Sequence, residues 1–195
     1  EESPNEKSYI EYAQATKDKK NPVSYSIENG TLTLKEAGNT GASYYINVDI
    51  SFLQAALSSK NIEDYTKESS KYENYVTLYL PKDKLVSSAK IYLGYGDFYV
   101  KNATFDTTNI KLDDGDFDAN TLTANSGKLT FSYGDCDLQK ASLGNISLTS
   151  KDGDLTVNEL TLSGKTKIAL SYGDTEITLN DSTKKVSGFD LVTHY

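Results

Sequence analysis

The sequence predicts an all-β protein built as a single-stranded, three-sided β-helix, a solenoid of about 19 residues per turn. The first observation is a repeat of Gly-Asp pairs, whose successive starts are separated by 19, 19, 19 and 20 residues. A fixed period of this length is typical of solenoids. The second observation is a strand period of two inside each repeat. The repeated glycines are Gly96, Gly115, Gly134, Gly153 and Gly173.

The start of the chain does not repeat. Residues 1–22 are polar and rich in Lys, Glu, Asn and Asp, which indicates a tether or a frayed start, with a solvated face of the first element as the alternative. Residues 23–38 predict a β-hairpin, because apolar and polar residues alternate on both sides of Asn29-Gly30. This dipeptide is favoured in type I′ turns.

Further strands are predicted before the repeats begin. Residues 44–52 alternate and place Ile46, Val48, Ile50 and Phe52 on one face. Residues 53–74 lack alternation and indicate a short helix followed by a polar excursion. Residues 75–81 return to a strand, which Pro81 stops. We therefore expect residues 23–90 to cap the stack and residues 91–195 to form the β-helix repeats, with both parts in one domain.

Six apolar columns predict which side chains face the core. Counted from each repeated glycine, they fall at positions two, four, seven, nine, fourteen and sixteen. They form pairs two residues apart, which predicts three short strands per turn. The columns of the last repeat align with the others only if one residue is inserted near Gly164. Stacked turns, about 4.8 Å apart, would share one core. Cys136 lies in an inward column and is expected to be a small buried hydrophobe.

Composition excludes several classes of protein. The chain has 28 acidic residues against 20 basic ones, all of them Lys, for a net charge of −8. We expect no nucleic-acid partner, since a basic surface usually provides that affinity. A lone cysteine excludes an internal disulfide, which suits a bacterial surface protein better than a small secreted disulfide scaffold. No apolar run approaches the roughly 20 residues of a membrane span. The chain contains no Met, so a signal or anchor preceding it is expected.

The Gly-Asp repeats follow a strand that ends in "LPKD" at 80–83, and "ENGTLTL" stands at 28–34. Together they resemble a bacterial adhesin family with a GD-repeat β-helix, similar to autotransporter adhesin heads, over about residues 23–195. The resemblance implies a right-handed single-stranded β-helix on the outer side of a membrane, often anchored through an N-terminal segment. It implies no catalytic residues.

The repeated pair predicts a corner in every turn. Glycine suits a backbone with positive φ, and the following aspartate can hydrogen-bond corner amides in an Asx-type interaction. The alternative is a calcium site, since "DDGDFD" at 113–118 concentrates four acids. Calcium-repeat and EF-hand spacings are absent, so we expect no metal and no cofactor. The corner aspartates are Asp97, Asp116, Asp135, Asp154 and Asp174.

The residue before each glycine alternates between tyrosine and aspartate, which suggests a duplicated unit of 38 residues. One interpretation is a ladder that stabilises the corner. The other is a strip that binds a cell-surface glycan or protein, a role that suits the amphipathic tyrosine ring. The alternating residues are Tyr95, Asp114, Tyr133, Asp152 and Tyr172.

Catalysis is not expected. Because acids recur in every turn, a catalytic acid should depart from the repeat, and the only histidine is His194. We predict a non-catalytic structural or binding module on the extracellular face of the bacterial cell envelope. The alternative is a carbohydrate-active β-helix enzyme acting on polysaccharide. An open last turn would leave an unpaired strand edge, through which two copies could associate end to end.

Overall fold

A computed structural model describes residues 9–13, 23–36, 44–49, 63–66, 75–80, 84–181 and 188–194. The described residues are dominated by β-strands, numbered in chain order. The strands are β1 (Tyr9–Ala13), β2 (Val23–Glu28), β3 (Thr31–Glu36), β4 (Tyr44–Asp49), β5 (Glu63–Thr66), β6 (Tyr75–Tyr79), β7 (Leu85–Leu93), β8 (Phe98–Leu112), β9 (Phe117–Tyr133), β10 (Cys136–Asp152), β11 (Leu155–Leu162), β12 (Thr166–Ser171), β13 (Thr175–Leu179) and β14 (Phe189–His194).

Strands β7 to β14 pair in parallel and form a solenoid. Ile110 lies beside Leu129, Leu129 beside Leu148, and Leu148 beside Ile168, so the same column recurs in each turn. The first two steps span 19 residues and the third spans 20 residues. The predicted fold class is therefore confirmed, as a β-solenoid of about 5 turns with a spacing near 19 residues.

Each turn is divided into three paired segments. In the pairing of β10 with β9, residues 136–138, 140–143 and 145–150 are in register, with Gln139 and Gly144 outside the ladder. The pairing of β8 with β9 is interrupted at the corresponding places. Three strand segments per turn are what the paired apolar columns predicted.

The register also locates the inserted residue. Leu143 lies beside Leu162 at a separation of 19, whereas Ser147 lies beside Lys167 at a separation of 20. The insertion therefore falls between Leu162 and Lys167, as predicted near Gly164.

In the last turn β13 pairs with β11 and β14 pairs with β12. No further strand pairs with β13 or β14 within the described ranges, and the expected end-to-end association through this edge remains a prediction.

The predicted apolar columns form the core. Phe117, Leu129 and Leu138 are among its fully buried side chains, and the ring of Phe117 stacks on that of Phe131 with centroids 5.0 Å apart. A further inward column contains Thr108, Ile146 and Thr166, all nearly completely buried. The sequence pattern did not reveal this column, because two of its members are threonines and a third, at 127, is glycine.

The N-terminal strands extend the same sheet in the antiparallel sense. The β2–β3 hairpin turns at Asn29 and Gly30, whose φ values of 51° and 77° are those of a type I′ turn, as predicted. Strand β4 then pairs antiparallel with β7, the first strand of the solenoid. Leu32, Leu34 and Val48 are buried and belong to the same hydrophobic cluster as the solenoid core.

A second sheet contains three strands in the order β5-β1-β6. Strand β1 lies inside residues 1–22, so the expectation of a polar tether does not hold for residues 9–13. Strand β5 lies inside residues 53–74, where a short helix and a polar excursion were expected. The rest of residues 53–74, together with Ile50, Phe52 and Pro81, lies outside the described residues.

Candidate functional site: the Tyr-Asp corner

The Gly-Asp pairs form one corner that is repeated on successive turns. The backbone N–H of Gly115 donates to the carbonyl of Tyr133 at 3.0 Å, and that of Phe117 donates to the carbonyl of Asp135 at 2.9 Å. Equivalent bonds join the other turns. Backbone hydrogen bonds therefore hold the predicted corner residues in register.

Glycine is required here for two reasons. Gly134 has a φ of 117°, a conformation that other residues rarely adopt. A Cβ atom added at Gly134 would also lie 2.4 Å from the carbonyl oxygen of Gly115 in the previous turn. Neighbouring corners thus approach each other too closely for any side chain at this position.

The corner aspartates bond from one turn to the next rather than within a single corner. The N–H of Asp116 donates to Oδ1 of Asp97 at 3.0 Å, and the N–H of Asp135 donates to Oδ1 of Asp116 at 2.9 Å. Asp154 and Asp174 continue the series. We call this series the aspartate ladder. It satisfies a backbone donor that would otherwise lack an acceptor at the turn.

The alternating residues lie on the same corner, one position before the glycines. Tyr95, Tyr133 and Tyr172 are 64%, 60% and 66% exposed, and Asp114 and Asp152 are also exposed. The alternation places one tyrosine on every second turn, at a spacing of about 9.6 Å for two interstrand distances. We call these five residues the Tyr-Asp strip.

The corner carries a concentration of negative charge. Asp118 lies beside Asp137 in the next turn, on the solvent-facing side of the strand that leaves the corner. Partial burial, followed by the charges of Asp137, Asp116 and Asp97, raises the pKa of Asp118 above its usual value. The carboxylates of Asp116, Asp118 and Asp137 therefore lie close enough together on this corner to disfavour an anionic ligand.

A second polar group borders the strip and was not predicted from the sequence. Lys111 Nζ lies 2.7 Å from Oδ1 of Asp113, and the hydroxyl of Tyr92 donates to Oδ2 of Asp113 at 2.8 Å. The hydrogen bonds from Lys111 and then Tyr92 lower the pKa of Asp113. The 19-residue register that aligns Tyr92 with Lys111 was the signal that could have found this group.

The comparisons with known proteins identify the family. The Toastrack DUF4097 family matches residues 1–190. This chain belongs to the Toastrack DUF4097 family. That membership supports the β-helix repeat part of the predicted resemblance, while an adhesin identity does not follow from it. No curated protein and no solved structure matches the chain.

The acidic corner and the cysteine of the Toastrack chain are the described features that bear on metal binding. Within the described ranges, no group of three or more His, Cys, Asp or Glu side chains is arranged to hold a metal ion. The carboxylates of "DDGDFD" at 113–118 include Asp113 and Asp116, which are bonded to Lys111 and to a backbone amide. Cys136 is completely buried, and burial raises the pKa of its thiol well above the usual value. A buried, protonated thiol is a poor ligand and a poor nucleophile.

A depression of 470 Å³ lies at the last turn of the Toastrack solenoid. Asp174 and His194 both contribute to its lining, together with apolar residues that include Leu170, Ile177 and Leu191. The histidine and a corner acid thus line the same depression, which makes these two residues the ones that test the enzyme alternative. The described residues include no helix with the length and hydropathy of a membrane span.

Proposed function

We propose that this Toastrack chain is a non-catalytic structural and binding module on the extracellular face of the bacterial cell envelope. In this proposal it binds its ligand along the Tyr-Asp strip. The observation that supports it is the presence of three largely exposed tyrosines on one corner, on alternate turns of the solenoid. The envelope location and an adhesin-like role rest on the sequence resemblance and on the acidic, cysteine-poor composition.

The strip has properties that favour binding. Tyrosine combines a large apolar ring with a polar hydroxyl and has few side-chain torsions to order, so it contributes contact area at a small entropic cost. The backbone hydrogen bonds of the corner hold Tyr133 and Tyr172 in register with the neighbouring turns, and Tyr172 differs in its backbone by a φ of 59°. A ligand with a matching repeat would therefore meet a preorganised surface.

The corner acids are better suited to architecture than to catalysis. They recur in every turn, and Oδ1 of Asp97, Asp116, Asp135 and Asp154 accepts a backbone N–H of the following turn. A general acid or base needs its carboxyl group free to exchange a proton with a substrate. For this reason we assign these residues to the aspartate ladder and propose no reaction.

The test compares wild-type protein with a triple variant, Tyr95→Ser, Tyr133→Ser and Tyr172→Ser, on an array of bacterial surface glycans. Tyr99→Ser is the control, because Tyr99 is 47% exposed but lies on the strand beyond the corner. The proposal expects binding by wild type and the control, loss in the triple variant, and no released product. Glycan cleavage that disappears in Asp174→Asn or His194→Ala would instead support the enzyme alternative.

The location is tested separately. The full-length protein, expressed in its own host, should be digested by protease added to intact cells. Protection in intact cells together with digestion after lysis would contradict an extracellular location. It would leave the binding result on purified protein unaffected.

A further inference from the structure

The tyrosines of the strip recur at a regular distance along the solenoid, which can be compared with the repeat length of a polymeric ligand. The carbonyl of Tyr133 accepts from Gly115 and the carbonyl of Tyr172 accepts from Gly153, so both residues occupy the same corner position on different turns. Tyr95 directly precedes Gly96, whose N–H donates to the carbonyl of Asp114, as that of Gly115 donates to the carbonyl of Tyr133, so Tyr95 lies two turns before Tyr133. Two interstrand distances amount to about 9.6 Å, with one acid-bearing turn in between.

An extended β-1,4-linked glycan has nearly the same repeat. Each pyranose ring advances the chain by a length close to one interstrand distance of about 4.8 Å. Successive sugars in such a chain are turned over relative to each other, so the same ring face recurs on every second sugar. A tyrosine on every second turn would therefore meet equivalent faces of alternate sugars, and the turn between would meet a sugar edge.

An α-1,4-linked chain does not fit in this way, because it curves instead of extending and its sugars leave a straight row of residues after one or two contacts. A β-1,4 chain stays extended and can follow a row of residues on successive turns. A row of tyrosines on alternate turns thus discriminates between linkages of the same sugar.

The negative charge of the strip further limits the chemical class of the ligand. The turns between the tyrosines present the exposed carboxylates Asp114 and Asp152, and the aspartate ladder runs two residues further along the chain. Uronic acids or phosphates would be repelled by this surface, while protonated amines would be attracted to it. The side chains between the tyrosines therefore match sugars that carry free amino groups.

We propose that the Tyr-Asp strip binds an extended β-1,4-linked glycan whose sugars carry free amino groups, with roughly one sugar per turn of the solenoid. The tyrosine rings contact alternate sugar faces, and Asp114 and Asp152 contact the amino groups of the intervening sugars. This inference rests on the proposed function, because it names the ligand of the same strip.

The test measures binding of defined oligosaccharides by isothermal titration calorimetry. The probes are a β-1,4 glucosamine hexamer, the β-1,4 glucose hexamer, the α-1,4 glucose hexamer and an anionic galacturonate hexamer. We expect the glucosamine hexamer to bind best and to weaken with added salt, and the neutral β-1,4 hexamer to bind more weakly. The α-1,4 and anionic hexamers should not bind.

Chain length provides a second readout. A glucosamine dimer can reach one tyrosine of the strip, whereas a trimer spans two tyrosines through its first and third sugars. We expect affinity to rise by roughly tenfold from dimer to trimer, since the third sugar adds contact with a second tyrosine ring. A smooth increase with length, without this step, would overturn the assignment of tyrosines to alternate sugars.

Two variants separate the two kinds of contact. The double variant Asp114→Asn, Asp152→Asn should weaken the glucosamine hexamer roughly tenfold and leave the neutral β-1,4 hexamer unchanged. Tyr133→Ser should weaken both, and Tyr99→Ser should weaken neither. Far-UV circular dichroism and urea midpoints equal to those of wild type would establish that each variant is folded.

The failure of this inference can be distinguished from failure of the proposed function. If a different glycan binds and the tyrosine triple variant loses it, the strip is a binding site but the ligand class proposed here is wrong. If the glucosamine hexamer binds equally well to the triple variant, both the ligand assignment and the role of the strip are wrong. If no β-1,4 amino glycan binds wild-type protein, the inference fails regardless of the variants.

Discussion

The backbone N–H of Asp135 donates to a carboxylate oxygen of Asp116 at 2.9 Å, although 19 residues separate them in sequence. The side chain of one turn thus completes the backbone hydrogen bonding of the next. The same relationship holds between Asp97 and Asp116 and between Asp135 and Asp154. The repeated aspartate is therefore part of what joins successive turns of the solenoid.

Replacing Asp116 with alanine should lower the free energy of unfolding by about 1 kcal/mol, because the N–H of Asp135 loses its acceptor. Asp116→Asn keeps an acceptor oxygen and removes a charge beside Asp97 and Asp135, so its stability should equal or exceed that of wild type. Urea unfolding measures both effects. Asp174→Ala is the control, since within the described ranges its carboxylate does not continue the ladder. An equal loss in Asp116→Asn would show that charge, not the acceptor, is what matters.

The two corner glycines Gly96 and Gly134 should differ in their tolerance of alanine. Both have positive φ values, 98° and 117°, so both variants are strained. An added Cβ meets no atom within 4 Å at Gly96, but at Gly134 it lies 2.4 Å from a carbonyl oxygen. We expect Gly134→Ala to lose roughly 2 kcal/mol more than Gly96→Ala in urea unfolding, because its backbone must also shift. Equal losses would mean that conformational strain alone accounts for the glycine.

Two buried hydroxyls should be dispensable. Thr108 Oγ1 and Ser150 Oγ are buried and have no hydrogen-bond partner among the described residues. Thr108→Val and Ser150→Ala should therefore each raise the free energy of unfolding by about 1 kcal/mol, since a buried polar group without a partner is costly. Thr166→Val is the matched control, because the hydroxyl of Thr166 donates to the carbonyl of Gly144 and its loss should destabilise. Destabilisation by all three substitutions would contradict this account.

Cys136 should make the protein less stable in alkali. Burial, followed by the nearby charges of Asp137, Asp118 and Asp135, raises the pKa of its thiol in the folded state. Below the usual thiol pKa of about 8.5 both states keep the proton. Above it the unfolded state loses the proton first, so stability falls by up to about 1.4 kcal/mol per pH unit.

The measurement for Cys136 is urea unfolding between about pH 8 and pH 10, with Cys136→Ala as the reference that retains the other titrating groups. The variant should show a shallower decline with pH. In addition, a thiol reagent should modify wild-type protein only at the rate of unfolding. Rapid modification of the native protein would contradict complete burial of the sulfur.

Asp118 should be mildly destabilising at neutral pH. Its pKa is raised by partial burial and by neighbouring carboxylates, so its stabilising contribution is present below the unfolded pKa of about 3.9 and is lost as pH rises through the folded pKa. Asp118→Asn should raise stability at pH 7 by up to roughly 0.5 kcal/mol, since exposed charges are screened. This gain should disappear in acid.

Glu159→Gln provides a comparison of opposite sign. The hydrogen bonds from Lys140 and then Asn180 lower the pKa of Glu159, so its contribution is present at neutral pH and is lost as pH falls. Thermal unfolding of both variants at neutral and acidic pH checks the two directions. The same direction of change in both variants at neutral pH would show that the local charges do not determine the outcome.

Much of the solenoid could be predicted because its turns repeat every 19 residues or so and its strands alternate every two residues. The 19-residue spacing of Gly-Asp pairs and the alternation within each repeat predicted the turn length, the three segments and the inward columns. The insertion near Gly164 and the hairpin at Asn29-Gly30 were also predicted, since both depend on local register and turn chemistry.

The less regular parts could not be predicted in the same way. Strand β1 pairs with β5 and β6, which are distant in sequence. The sequence of β1 shows little alternation of apolar and polar residues. The column of Thr108 and Thr166 was missed because polar residues gave no inward signal, although both are buried. Tertiary pairing decided these features, because it supplies hydrogen bonds and burial that local preference does not encode.

By itself, the sequence determined which residues share a corner, because a constant period brings equivalent positions to the same place on every turn. Only the tertiary structure decided what they do there. It showed that the carboxylate of Asp116 reaches across to the amide of Asp135, and that Tyr133 remains exposed. Spacing in sequence fixes register along the solenoid, whereas the partner of a side chain depends on distances between turns that exist only once the turns are stacked.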